Sequence, residues 1–157
     1  MATTISNRIF DYLKDYPPFN LLSKDALEEV VKGVKLQYHQ ADELIFEQGE
    51  APKSYVYMVK EGAVNLIREE EEISGVIEQC DEGDLFGVRP IIANEPYELT
   101  AKVVEESLIY AIRVDDLGHI IEENPKVAFF LAKSFAGNSR VSASEAFKGK
   151  IFLDNDK

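Results

Sequence analysis

The sequence predicts a mainly β fold: a jelly-roll barrel (a double-stranded β-helix) with N-terminal helices before it and two helices after it. Three observations carry this. Between Lys35 and Val114, short runs of β-forming residues recur, split by turn residues, with no helical pattern in most of the gaps. On either side of that stretch, apolar residues return at helical spacing. The chain has 157 residues, 45% of them apolar, enough for one domain with a real core and short flanks.

Residues 1–34 hold the N-terminal helices. A short amphipathic helix over 5–16 puts Ile5, Ile9, Tyr12, Leu13 and Tyr16 on one side, and Pro17-Pro18 ends it. Ser23 is a good N-cap for a second helix with Leu27, Val30, Val31 and Val34 on one face, and Gly33 lies near its end. Residues 35–114 read as the barrel. Its strands include Leu44–Phe46, Tyr55–Val59, Val64–Ile67, Gly75–Ile77, Thr100–Val104 and Ser107–Ile112, with a turn at Glu61-Gly62 and another at Asp81–Asp84. The run Glu69–Glu72 reads as a solvated loop tip; nothing there fixes the geometry of a metal site. Residues 115–136 read as two helices. Asp115 caps the first, which carries Leu117, Ile120 and Ile121. Asn124 caps the second, with Pro125 in its first turn. That second helix places Val127, Phe130, Leu131, Ser134 and Phe135 on one face, while Phe129, Ala132 and Ala136 widen its apolar surface. It either covers both the barrel and a second copy of the chain, as a homodimer contact, or presents one wide core-facing stripe. Residues 137–157 read as a linker or tail.

Composition narrows the function classes. A net charge of −12 repels phosphate backbones and disfavours nucleic-acid binding by this chain. No apolar run is long enough to span a membrane, and the first residues lack the apolar stretch of a signal peptide. Cys80 is the single cysteine, which excludes an internal disulfide and a multi-cysteine zinc site; it reads as a small buried hydrophobe. A cytoplasmic protein is the expectation. His39 and His119 have no nucleophile or carboxylate partner assignable by spacing, and no phosphate-binding glycine loop of the nucleotide-hydrolase kind is present, so no enzyme is expected.

The order helix, barrel, two helices, together with three local phrases, resembles the cyclic-nucleotide-binding domain family. ELIFEQGEAPKSYVYMVKEGAVNLI (43–67) is similar to that family's strand, Gln-Gly-Asp/Glu turn, strand and glycine turn, and GDLFG (83–87) to the entry of its phosphate-binding cassette. The resemblance covers roughly residues 19–136 and places the cassette at 86–101. The family's pattern there is Phe-Gly-Glu, a small apolar stretch, then Pro-Arg-x-Ala-Thr/Ser. Phe86, Gly87, Pro96 and Thr100 match, and Ala101 follows Thr100 into a new strand. Val88 stands where the resemblance implies a ribose-binding Glu, Tyr97 where it implies a phosphate-binding Arg, and Leu99 where it implies a small Ala.

Those replacements carry a physical consequence. Valine cannot accept from a ribose hydroxyl, and tyrosine offers one neutral donor in place of a planar charged fork. Losing one charged hydrogen bond costs roughly 1.5–3 kcal/mol, so the pair together could cost several orders of magnitude in affinity. Between Val76 and Ile112 two basic residues, Arg89 and Lys102, face eight acidic ones. Some anion-binding parts remain: the N–H groups of Ile91 and Ile92 behind Pro90, and the Thr100 hydroxyl. Arg89 precedes a proline, which biases it to an extended backbone. Two readings of Arg89 stand side by side. It substitutes for the missing arginine, with Tyr97 helping to hold an altered ligand; or it pairs with Glu95 or Glu98 while Tyr97 packs over the barrel. A finer likeness, in FGVRP, Tyr97, Thr100-Ala101, Glu105-Glu106 and Tyr110–Ile112, is to a bacterial subgroup in which this domain precedes paired CBS domains and a nucleotidyltransferase-like region. It implies a longer protein continuing past Lys157, with a downstream output domain. The DNA-binding version of the family adds a helix-turn-helix, for which the residues after Ala136 leave no room.

Two functions follow from the resemblance. One is a regulatory sensor whose effector is cAMP, cGMP or another phosphate-bearing ligand, with Phe129 or Phe130 as a lid. The other is a ligand-free dimerisation or docking module. The cassette's interior separates them: polar and open in a sensor, filled by Val88, Tyr97 and Leu99 in a docking module.

Overall fold

In the computed structural model, residues 4–136 are described, together with the backbone of 140–141. The first helix, α1, spans Thr4–Leu13 and buries Ile9 and Leu13, while Ile5 is exposed. It stops short of the expected Tyr16, where the chain turns toward Pro17-Pro18. Tyr12 pins α1 to the barrel, its hydroxyl shared between the carbonyls of Val59 (3.0 Å) and Lys60 (3.2 Å). A 3₁₀ turn at Phe19–Leu21 leads to α2, Lys24–Lys32. Ser23 caps α2 as its sequence position implies, accepting from the Ala26 N–H at 3.2 Å.

Among the described residues nine strands follow: β1 (Lys35–His39), β2 (Leu44–Phe46), β3 (Tyr55–Glu61), β4 (Val64–Glu70), β5 (Ile73–Cys80), β6 (Leu85–Phe86), β7 (Thr100–Val103), β8 (Ser107–Arg113) and β9 (Arg140–Val141). Their antiparallel pairs build two sheets, β1-β8-β3-β6-β9 and β2-β7-β4-β5. A jelly roll between N-terminal and C-terminal helices is thus the observed architecture. Within the 137–157 segment, β9 adds to the edge of β6; the rest of that segment lies outside the described residues. Glu69 and Glu70 belong to β4, facing Ser74 and Ile73, so only Glu71 and Glu72 form the tip.

Two cores share the five-stranded sheet. Val56, Met58, Tyr110 and Ile112 point at the helices and meet Leu13, Phe19, Leu27, Leu117 and Leu131. Tyr57, Val59, Ile109 and Ala111 point the other way, onto Phe46, Leu66, Ala101 and Val103 of the second sheet. Side chains alternate along a strand, so a strand buried on both faces must be apolar at every position. That is why Tyr55–Val59 and Leu108–Ile112 show no polar alternation.

Two short helices follow the barrel. α4 is Val114–Glu123 and α5 is Pro125–Ser134. Asp115 does not cap α4. Arg113 holds the cap position, and Asp115 and Asp116 lie in the first turn, where their charge suits the helix dipole. Asn124 is the N-cap of α5, with Pro125 next as expected, but its side chain makes no bond to α5; its Nδ2 donates back to the Ile120 carbonyl of α4 at 2.9 Å. On α5, Val127, Leu131 and Ser134 are buried, and Phe130 and Phe135 pack half-buried on the helix-facing core. Phe129 is 67% exposed, so the apolar surface of α5 does extend beyond its core-facing stripe.

Candidate functional site

The cassette starts where β6 ends. Gly87 takes a φ of +79°, and a Cβ there would lie 3.2 Å from the Phe46 ring; a left-handed backbone and a close aromatic neighbour both call for glycine. A short helix follows, α3 (Arg89–Ala93), ended by Asn94 in the left-handed region. Arg89 is its first residue, helical despite the following proline, against the extended backbone expected. The N–H groups of Ile91 and Ile92 both reach the Val88 carbonyl at 3.1 Å. They are spent within the turn and form no cradle for an anion.

Val88 is fully buried, but not in the barrel: it belongs to the helix-facing core. Tyr97 and Leu99 fill the space between the sheets, 2% and 5% exposed. Tyr97 stacks on Phe46 with ring centroids 3.9 Å apart and planes 9° from parallel. Its hydroxyl accepts from the Lys53 N–H at 3.0 Å. Its backbone is tied to the same loop, Tyr97 N–H to Glu50 at 3.0 Å and Gly49 N–H to the Tyr97 carbonyl at 2.8 Å. Burial holds this hydroxyl above the usual tyrosine range; the bond from Lys53 opposes the rise and Glu50 adds to it. Tyr97 is therefore neutral and offers an incoming phosphate no charge. The Thr100 hydroxyl accepts from the Gln48 N–H at 2.9 Å. Ala101, fully buried on β7, lies opposite Leu66 of β4 and Phe46 of β2. Phe86 is fully buried, 5.6 Å from the Tyr57 ring.

Of the expected residues, Phe86, Tyr97 and Ala101 converge in the inter-sheet core with Leu99, Gly87 lies against its Phe46, and Thr100 is buried on β7 beside them. Val88 faces away. Arg89 is exposed and forms no ion pair among the described residues, with Glu95 and Glu98 included. It does share an opening at the cassette, a cleft bordered by Phe46, Gly87, Arg89, Ala93, Tyr97 and Glu98 among others. The cleft encloses about 30 Å³. Sites for drug-sized ligands occupy roughly 300–1,000 Å³. Neither Phe129 nor Phe130 borders it.

Phe46, Glu50 and Lys53 complete the site, and sequence reading did not single them out. They act across a sequence separation of about fifty residues, which no local pattern encodes. The only signal was the Gln48-Gly49-Glu50 turn, which marked the loop without its contacts.

Fold and cassette together define a cyclic-nucleotide-binding type of domain, and comparison with known proteins agrees. Residues 36–124 match the cyclic nucleotide-binding domain family, and the chain belongs to it. The potassium channel KAT1 of Oryza sativa subsp. japonica is 35% identical over 106 residues, which are 68% of this chain and 15% of the channel. The sensor domain of the transcriptional regulator DNR from Pseudomonas aeruginosa superposes with a TM-score of 0.75 at 22% identity, covering 83% of this chain and 87% of that one. A regulatory subunit of a cAMP-independent protein kinase A from Trypanosoma brucei, in a triple mutant bound to cAMP, superposes with a TM-score of 0.65 at 13% identity, covering 82% of this chain and 51% of that one. The chain thus spans a small fraction of the channel and about half of the kinase subunit.

Among the described residues no helix is long and apolar enough to cross a membrane, and no cluster of His, Cys, Asp or Glu could hold a metal ion.

Proposed function

We propose that this chain is a non-catalytic regulatory domain of a larger, cytoplasmic bacterial signalling protein, and that its cassette is closed to cAMP and cGMP. It works as a docking or dimerisation module attached to a downstream output domain. The observation that carries this is the Tyr97–Phe46 stack, with the Tyr97 hydroxyl held by Lys53. A side chain packed this way occupies the position from which the family's arginine would grip a phosphate, and it is joined by Leu99 in leaving about 30 Å³ of room. The kinase subunit described as cAMP-independent supports the idea that this fold serves regulation without the nucleotide. The match to a small part of a channel supports attachment to a larger protein.

Calorimetric titration with cAMP and cGMP up to millimolar ligand tests this. No heat of binding is expected. Micromolar binding would mean that the missing carboxylate and arginine are replaced, and would overturn the reading.

One observation favours a second reading. Arg89 borders the cleft and has no ion-pair partner among the described residues, so it is available to an anion other than a cyclic nucleotide. In that reading the domain senses a phosphate-bearing metabolite. Titrating wild type and Arg89→Ala with such compounds decides it: equal behaviour of the two proteins removes Arg89 from any site.

A further inference from the structure

Among the described residues, the outer strand β5 is paired on one side only, with β4. Along it Ile73, Val76 and Ile77 are 78%, 57% and 49% exposed. A bulge accounts for the last two. Val76 lies opposite Ile67 and Glu78 opposite Leu66, so Ile77 is an extra residue with no partner across the hairpin. Exposed apolar edges are templates for strand pairing, and proteins blunt them with charged residues such as lysine, with proline or with bulges. Residues 73–80 contain no lysine or proline; the bulge at Ile77 and the charge of Glu78 fall in the second half of the strand, and 73–76 keep a regular register.

Gly75 is a second, separate sign. Its φ lies outside the left-handed region, and a Cβ built on it would meet nothing within 4 Å. Nothing inside the molecule calls for the missing side chain. A glycine within a strand marks either a bulge, such as the one that follows at Val76–Glu78, or a place where another backbone can come close. Ile73, Gly75 and Ile77 line a shallow concavity together with Arg68, Glu70 and Glu71.

Charge says what that other backbone carries. Residues 68–82 hold seven carboxylates (Glu69, Glu70, Glu71, Glu72, Glu78, Asp81 and Glu82) against one cation, Arg68, which lies opposite Gly75. A second copy would bring its own seven against these, and facing like charges disfavour such self-pairing. We propose that the β5 edge is a docking site for an extended basic segment of a partner protein, alternating Lys or Arg with apolar residues. The segment adds as a fifth strand to the four-stranded sheet. Main-chain hydrogen bonds supply affinity, its apolar residues cover Ile73, Gly75 and Ile77, and its cations meet the carboxylates at the two ends of the strand. This rests on reading the domain as a docking module, but its test involves no nucleotide, so the two can fail separately.

The probe is a short fluorescein-labelled peptide alternating lysine and valine, titrated by anisotropy and followed in amide NMR spectra of the domain. Saturable binding is expected, with shifts centred on residues 68–80. A peptide with glutamate for lysine, a peptide with proline at alternate positions, and the domain variant Gly75→Val should each bind roughly tenfold weaker or worse. Gly75→Val suits an edge strand with open space above it, so this variant keeps its fold. Three results would overturn the proposal. One is the lack of saturable binding at millimolar peptide. Another is equal binding by the proline peptide, which would reduce the effect to charge alone. The third is a concentration-dependent dimer abolished by Val76→Lys, which would put a second copy on the edge.

Discussion

Replacing Tyr97 by alanine would remove a ring that is 2% exposed and stacked at 3.9 Å on Phe46. Truncating a buried aromatic to alanine costs about 3–5 kcal/mol, because transfer energy is lost and a cavity stays behind. Burial and the stack together place Tyr97 inside that range. The hydroxyl contributes separately, since Tyr97→Phe keeps the stack but deprives the Lys53 N–H of its acceptor, at about 1 kcal/mol. Urea unfolding reads both numbers. With a slope of about 1.5 kcal/mol per molar, the alanine variant should lose about 2–3 M in midpoint, and the phenylalanine variant about 0.7 M. A residue that faces a ligand instead of plugging a core would show the opposite signature: little change in stability and a change in binding. An alanine variant within about 0.5 kcal/mol of wild type would refute the plug, since only surface positions are that tolerant.

Gly87→Ala forces a Cβ onto a φ of +79° and toward the Phe46 ring at 3.2 Å, so it should lose about 1–2 kcal/mol or more in the same assay. Ser23→Ala removes the acceptor of the Ala26 N–H and should cost about 1 kcal/mol, with the loss visible as fraying of α2 in amide hydrogen exchange. Tyr57 is pushed up to about 12 by burial, with Tyr97 and Tyr55 adding to the rise. The fold thus favours its protonated form; this part of the stability is whole below the ordinary tyrosine value of 10.0 and is lost as pH rises from there to about 12. Unfolding midpoints measured across that window should fall with pH, and Tyr57→Phe should fall less steeply than wild type.

The fold was legible because its signals are local. Ser23 before an apolar stripe, the unbroken apolar runs at Tyr55–Val59 and Leu108–Ile112, and the turn residues between strands each dictate structure within a few positions. Helix boundaries were less so. Asp115 and Asn124 both have the chemistry of a cap, but the turn of the chain put Arg113 in one cap position and aimed the Asn124 amide at the preceding helix. The cassette was half legible. Spacing alone located Val88, Tyr97 and Leu99, and chemistry alone showed that they cannot replace a carboxylate, an arginine and a small residue. Their directions were not readable: Val88 turns to the helices while Tyr97 and Leu99 turn into the barrel. That divergence depends on the left-handed Gly87 and on a partner, Phe46, about fifty positions earlier. The surroundings of Arg89 were also hidden, because neither Glu95 nor Glu98, though close in sequence, pairs with it.

The central claim is that the cassette is closed by its own side chains and stays closed. NMR spectra of the domain with and without millimolar cAMP test it at the site itself. The account predicts close proton contacts between the Tyr97 and Phe46 rings, and unchanged resonances for Tyr97, Leu99 and Thr100 when cAMP is added. Saturable shifts at these residues, with the loss of the Tyr97–Phe46 contact, would show that the nucleotide opens the cassette and would contradict it.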